Sequence, residues 1–266
     1  MHLNLSQRSR AFAFSFTFCI ASVCAIDNGM GQFAAATTSN SGSTVISKVG
    51  NGAVTFYEPV EKQIEGWTIV CDPKLLTDET KKEFEPAFKA LANHLQRIAF
   101  ILPADRLKRI QQCKIWMEVD NPLIKGMQYH PGRGWLLSKK LDPRLVKHVH
   151  IPQAKALTDR SNWAKHPYVI LHELAHSYHD QVYGFDDQSI KKVFEAAKDS
   201  GTYEEVLDHR GYKVRHYGLN NQMEYFAEST EAYLGVNDFF PFVRAELKQH
   251  DPKMFDLMKE VWGKVE

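Results

Sequence analysis

One pentapeptide, HELAH at residues 172–176, constrains this chain of 266 residues more than any other feature. Its two histidines, His172 and His176, are four positions apart, so on an α-helix both rings face the same side and reach one ion. The flanking residues are apolar, with Pro167 just before and Gly184 just after, which is typical of a helix with defined ends. The segment therefore predicts a helix that presents two metal ligands.

The residue types in this pentapeptide favour zinc chemistry. Imidazole nitrogen is a preferred ligand of Zn²⁺, and two histidines leave room for a third protein ligand and a water. Glu173 follows His172 directly, so its carboxylate can face that water without binding the metal and is the candidate general base. A chance HExxH is expected in about 3% of chains of this composition, so two ordinary histidines on a polar helix face remain an alternative.

A third ligand would distinguish a metal site from two ordinary histidines on a helix, and the sequence offers three candidate positions for it. A third histidine at the spacing HExxHxxGxxH would fall on Val182, which cannot bind metal. His179 lies on roughly the same side of the helix as His176, but three ligands on one short helix give poor tetrahedral geometry. The remaining candidate is NNQMEYFAESTE at residues 220–231, a second predicted helix with carboxylates at Glu224 and at the position four residues later.

The two carboxylates of that second helix are expected to have different roles. Glu224 would complete a site of two histidines and one glutamate, and Glu228 on the same face would accept the second N–H of a ligand histidine. The alternative is a solvated acidic face, the usual place for such pairs. Tyr225, Phe226 and Ala227 surround them, which indicates a largely buried helix, and a buried carboxylate requires a partner.

HELAH followed by a distant NxxEYFAE resembles the gluzincin zinc metallopeptidases, and in particular the catalytic domain of the anthrax lethal factor group. The resemblance covers roughly residues 165–235 and implies a zincin-like metallopeptidase domain with one catalytic Zn²⁺. It also implies the role of each matching residue. The ligands would be His172, His176 and Glu224, the base Glu173, and the outer partner of a ligand histidine Glu228.

The same resemblance implies an oxyanion donor. The family carries a tyrosine seven residues before the ligand glutamate, and Tyr217 occupies that position. In other gluzincins a histidine has this role, so His216 remains an alternative. Either side chain would stabilise the developing negative charge by donating a hydrogen bond.

The N-terminal sequence predicts export. Residues 1–25 carry Arg8 and Arg10, then an uncharged apolar run that ends in small residues, which is typical of a secretory signal peptide. An uncleaved membrane anchor is the alternative. Residues 26–52 are rich in Gly, Ser, Thr and Asn and predict a flexible leader. The expected zinc metallopeptidase domain is then 53–266, in a secreted or periplasmic protein without stable membrane insertion after cleavage.

The order of predicted elements favours an α+β fold, with a small mixed sheet, an active-site helix and a helical C-terminal part. Short β-branched and aromatic runs come early, and helices are predicted near residues 167–183, 188–200, 220–234 and 240–263. A hairpin is predicted within 126–140. The run VKHVHIPQ at 146–153 is predicted to be a strand, and to be the edge strand along which a substrate lies, with His148 and His150 exposed.

Charge and cysteine content limit the partners. Lys+Arg number 33 and Asp+Glu 32, so the sequence gives no electrostatic reason to expect nucleic acid. We expect a monomer that acts on a protein or peptide. Two alternatives remain open, an inactive zincin-fold binding module and a zinc hydrolase of non-protein amides such as cell-wall peptides. Cys71 and Cys113 would remain after signal cleavage, either as a disulfide or as buried thiols.

Overall fold

The structure is a computed structural model that describes residues 46–49 and 52–265. The predicted signal peptide and most of the predicted leader lie outside the described residues. The first described elements, β1 (Ile46–Val49) and β2 (Gly52–Thr55), pair as an antiparallel hairpin. The predicted boundary between leader and domain, at residue 53, falls inside β2.

Seven more strands and nine helices follow in the described part of the chain. The strands are β3 (Val60–Ile64), β4 (Trp67–Cys71), β5 (Ile115–Met117), β6 (Gln128–Tyr129), β7 (Val149–Ile151), β8 (Val206–Leu207) and β9 (Lys213–Val214). The helices are α1 (Lys81–Ile101), α2 (Ala104–Ile110), α3 (Arg133–Ser138), α4 (Arg160–Lys165), α5 (Val169–Tyr178), α6 (Gln188–Ser200), α7 (Gln222–Leu234), α8 (Arg244–His250) and α9 (Pro252–Trp262). Strands dominate early and helices late, so the predicted α+β class is confirmed.

A five-stranded mixed sheet has the order β3-β4-β5-β7-β6. Strands β4, β5 and β7 are parallel, whereas β3 and β6 are antiparallel to their neighbours. All residues of β5 and β7 are buried, as expected for inner strands covered on both faces. The prediction that 146–153 is an edge strand is therefore wrong, because β7 lies between β5 and β6. The edge strand on that side is β6.

Helix α5 carries the HELAH segment and is buried from Ile170 to Tyr178. It contacts the sheet at β6 and β7 on one side and α7 on the other. The chain then makes one π-helical turn, His179–Tyr183, and leaves it at Gly184, whose φ of 81° favours glycine. Local signals in the sequence therefore set both ends of the segment that presents the two histidines.

Helix α7 carries the EYFAE segment and begins at a strong N-cap. The side chain of Asn221 accepts hydrogen bonds from the backbone N–H groups of Met223 and Glu224. Such a cap satisfies donors that the first turn leaves unpaired. The buried Trp262 of α9 supports α7 from behind, since its indole N–H donates to Thr230 Oγ1 at 3.0 Å. The C-terminal helix α9 therefore packs against the helix that carries the EYFAE segment.

Two local predictions are wrong. Residues 126–140 do not form a hairpin: β6 pairs with the distant β7, and the chain continues into the helix α3. The helix predicted over 240–263 is two helices, because Pro252 begins α9 after a break at Asp251. Proline lacks the N–H that a continuous helix would need there.

The two described cysteines, Cys71 and Cys113, are free and buried. Burial raises the pKa of the Cys71 thiol to about 12 and that of Cys113 to about 11. Both are therefore neutral thiols of low reactivity at neutral pH.

Within the described residues, no helix has the length and apolar character needed to span a membrane.

Candidate metal centre

Three predicted ligands converge at the contact between α5 and α7. The Nε2 atoms of His172 and His176 lie 3.1 Å apart. Oε2 of Glu224 lies 3.2 Å from Nε2 of His172 and 3.3 Å from Nε2 of His176. The structure thus brings together the two histidines and the glutamate that lies 48 residues after His176 in the sequence.

The donor separations fit a zinc-sized ion. Bonds of about 2.0–2.1 Å in a tetrahedron place neighbouring donors about 3.3 Å apart. All three separations lie close to that value. Two imidazole nitrogens and one carboxylate oxygen are also a donor set that zinc prefers in catalytic sites. The residues present therefore fit one zinc ion with an open fourth position.

The electrostatics of His172 and Glu224 place positive charge beside a buried carboxylate. Burial alone would lower the pKa of His172, but its hydrogen bonds to Glu224 and Glu231 outweigh burial and raise that pKa well above its usual value. Burial would raise the pKa of Glu224, but His176 and His172 outweigh it and hold this pKa far below its usual range. Glu224 is therefore ionised, and the buried carboxylate needs positive charge beside it.

The outer partner of His172 differs from the predicted one. Its second nitrogen, Nδ1, lies 2.6 Å from Oε1 of Glu231 and 3.7 Å from Oε1 of Glu228. Glu231 therefore makes the hydrogen bond that the sequence assigned to Glu228. At 100° per residue, a residue seven positions after Glu224 points within about 20° of it, whereas one four positions later deviates by about 40°. Glu231 thus lies more directly behind the ligand cluster.

Glu231 also holds a histidine that the sequence analysis missed. Nε2 of His166 lies 2.8 Å from the same Oε1 atom, so one buried carboxylate oxygen bridges His166 and His172. Burial would raise the pKa of Glu231, but the two histidines outweigh it and lower that pKa. The signal available in the sequence was the position of Glu231 one further turn along the face of Glu224 and Glu228.

This geometry predicts an ordered effect of two isosteric substitutions. Glu231→Gln is expected to weaken zinc affinity about 10–100-fold, because the neutral amide orients and polarises His172 less well than a carboxylate does. Glu228→Gln is the matched control, because Oε1 of Glu228 lies 3.7 Å from Nδ1 of His172, beyond hydrogen-bond distance. Burial and Asp238 also raise the pKa of Glu228. Zinc competition titrations measure both. Equal zinc affinities for the two variants would contradict the assignment of Glu231.

The candidate base, Glu173, is buried beside the ligands and tied to the edge strand. Its Oε2 atom accepts the backbone N–H of Tyr129, in β6, at 2.8 Å. Burial raises the pKa of Glu173, and the nearby His172 and His176 offset only part of that effect. A carboxylate with a raised pKa is better suited to accept a proton and release it later.

Of the two candidate oxyanion donors, Tyr217 lies within electrostatic reach of the candidate ligands Glu224 and His172. Burial raises the pKa of its hydroxyl, and the next largest cause is the charge of Glu224. His216 is instead buried against the ring of Tyr203, with ring centroids 5.0 Å apart, and its Nδ1 accepts the Gly218 N–H at 2.9 Å. The geometry therefore favours Tyr217 as the donor.

Other histidines from the sequence analysis are structural. His179 is fully buried, between the rings of Phe185 and Phe226, and is not part of the ligand cluster of His172, His176 and Glu224. The prediction that His150 is exposed is wrong, since it is fully buried with Nδ1 3.1 Å from Nε2 of His130. His148 is half-buried.

Comparison with known proteins agrees with this geometry. Residues 143–261 match the family model described as anthrax toxin lethal factor, N- and C-terminal domain. This part of the chain resembles the lethal-factor group of zincins. The match contains α5, α7 and all three candidate ligands, so the predicted resemblance and the zincin-like fold class are confirmed there. The matched family also supports the assignment of this chain as a zinc metallopeptidase in general.

No curated protein sequence matches the chain. Among solved structures, the PRO-PRO endopeptidase (PPEP-2) from Paenibacillus alvei is similar at 18% sequence identity, with a TM-score of 0.39. That similarity covers 65% of this chain and 89% of the other.

Proposed function

We propose that this protein is an exported zinc-dependent peptidase that hydrolyses peptide bonds with Glu173 as general base. The observation that carries the proposal is the set of three donors at tetrahedral separations with a separate buried carboxylate beside them. The family match over residues 143–261 supports the peptidase activity. The signal-peptide pattern of residues 1–25 supports the export.

His172, His176 and Glu224 would hold the zinc. When bound, the ion polarises the scissile carbonyl and lowers the pKa of a water toward about 7. Glu173 removes a proton from the attacking water, and the same carboxyl then delivers that proton to the leaving amine. The N–H of Tyr129 holds one oxygen of Glu173, so the other oxygen is left for the proton transfer.

Tyr217 would complete the site. Its raised pKa keeps the hydroxyl protonated at neutral pH, so it can donate a hydrogen bond to the carbonyl oxygen as negative charge develops. The substrate would lie extended beside β6, the edge strand that contacts Glu173. Pairing with a sheet edge positions an extended peptide through its backbone.

The proposal is tested with an unbiased peptide library and denatured casein. We expect zinc-loaded protein to cleave peptide bonds, chelation to abolish cleavage, and added zinc to restore it. Stoichiometric zinc without cleavage of any amide would support a binding module instead. Cleavage confined to cell-wall peptides would support the hydrolase of non-protein amides.

Removal of the Tyr217 hydroxyl tests its role separately. Tyr217→Phe is expected to lower kcat by about 10²–10³-fold, with a much smaller change in KM, because the hydrogen bond strengthens only as the oxyanion forms. Tyr212→Phe is the matched control, since Tyr212 is 63% exposed. Steady-state kinetics on one cleaved peptide measures both variants. An unchanged kcat for Tyr217→Phe would exclude it as the donor.

A further inference from the structure

A cleft of about 170 Å³ lies next to the metal centre. Its lining includes residues 125–127, which lead into β6, together with Trp163 and His166. The ring of His166 lies against that of the ligand His172, with centroids 5.3 Å apart. One wall of the cleft is therefore in direct contact with the candidate metal centre.

The lining also includes a residue close in sequence to the backbone group that binds the general base. Met127 lines the cleft and precedes by two residues Tyr129, whose N–H binds Glu173. Residues two apart on a strand are separated by about 6.6 Å, the spacing of side chains on one face. A peptide lying along β6 would therefore place in the cleft a side chain close to the bond that is cleaved.

The cleft carries positive charge. Lys125 and Lys165 line it, and among its described lining residues there is no Asp or Glu. Lys125 pairs with Asp120 at 2.9 Å, but both side chains are 59% exposed, and exposed pairs of this kind are weak. Lys125 can therefore exchange this partner for a substrate carboxylate. Burial raises the pKa of the neighbouring Asp238, and the charge of Lys165 offsets part of that rise.

The interior of the cleft is apolar and rigid. Met127, Leu157 and Val169 supply aliphatic surface. Trp163 is fixed in place: its indole N–H donates to the carbonyl of Leu157 at 2.7 Å, and its ring stacks on His94 at 4.3 Å. Burial lowers the pKa of His94 to about 3, so this histidine is neutral. A preformed wall of this kind limits the loss of conformational freedom on binding.

We propose that the cleft is a specificity subsite that takes an acidic side chain of the peptide substrate, glutamate above all. Its methylene groups would pack on Trp163 and Met127, and its carboxylate would lie between the ammonium groups of Lys125 and Lys165. The volume suits one side chain, since sites for whole drug-sized ligands span about 300–1,000 Å³. This inference rests on the proposed peptidase function.

The experiment compares matched peptides with Glu, Gln or Lys at each position flanking the cleaved bond. With the zinc-loaded protein we expect kcat/KM to be about tenfold higher for Glu than for Gln at one position, as for a hydrogen bond to a charged group. In the double variant Lys125→Met/Lys165→Met the ratio is expected to fall below about twofold. The control is Lys139→Met/Lys192→Met, which changes two exposed lysines away from the cleft.

Every outcome of this comparison is decisive. Equal kcat/KM for Glu and Gln peptides in the wild type, or a preference that persists in the Lys125/Lys165 variant, overturns the subsite. If the wild type cleaves no peptide, the proposed function fails. The subsite is then tested by measuring how tightly the same peptides bind to the zinc-loaded protein. Tighter binding of the Glu peptide that the double variant loses supports the subsite, and equal binding overturns it. If the double variant does not fold, the single variant Lys165→Gln takes its place in the same measurements.

Discussion

Glu173→Gln is expected to lower kcat by about 10²–10⁴-fold while zinc content stays unchanged. Glutamine has the same shape and still accepts the Tyr129 N–H through its amide oxygen, so the local geometry is retained. It cannot take a proton from water, however, and the step that needs a base is lost. Elemental analysis together with peptide kinetics measures both quantities on the same protein.

The control for this variant is Glu195→Gln, an exposed glutamate on α6. It removes one carboxylate of the same type without touching the site, so both zinc content and kcat should match the wild type. Full activity of Glu173→Gln with zinc bound would contradict the role of Glu173 as base. Loss of zinc from this variant would instead indicate a structural role.

Glu224→Gln is expected to weaken zinc affinity by more than the roughly 10–100-fold that loss of an outer partner costs. The substitution removes an anionic donor that lies 3.2 and 3.3 Å from the two histidine donors. The amide that replaces it is neutral and a poor ligand, so only two strong donors remain. Competition with a zinc-binding dye measures the affinity.

Helix α7 carries three glutamates near the site, and comparing them distinguishes loss of a zinc ligand from a general loss of stability. Glutamine substitutions in α7 should weaken zinc affinity most at Glu224, less at Glu231, and least at Glu228. All three variants lose the same atoms from the same buried helix, so a general loss of stability would not produce that order. Unchanged affinity in Glu224→Gln would show that the third ligand is a different residue.

The helices that carry the site could be predicted because their signals are local. The apolar flanks of HELAH, the proline before it and the glycine after it lie within the segment 167–184 and define α5. Asn221 caps α7 from its own first turn. The ligand role of Glu224 depended on the resemblance and on the aromatic residues around it, since no spacing rule links it to His176.

The sheet edge and the outer partner of His172 could not be predicted, because both depend on packing between distant segments. The strand near Val149 reads the same whether it is central or at an edge, and only its pairing with Tyr129 settles this. Glu228 and Glu231 both lie on the face of Glu224. Which one reaches His172 depends on how α5 and α7 cross.

The most direct test of the central claim is elemental analysis of the purified wild-type protein beside the double variant His172→Ala/His176→Ala. The account predicts about one zinc per wild-type chain and none above background in the variant. Zinc-free wild-type protein after purification without chelators, or a variant that retains its zinc, would contradict the metal centre on which the proposed peptidase function depends.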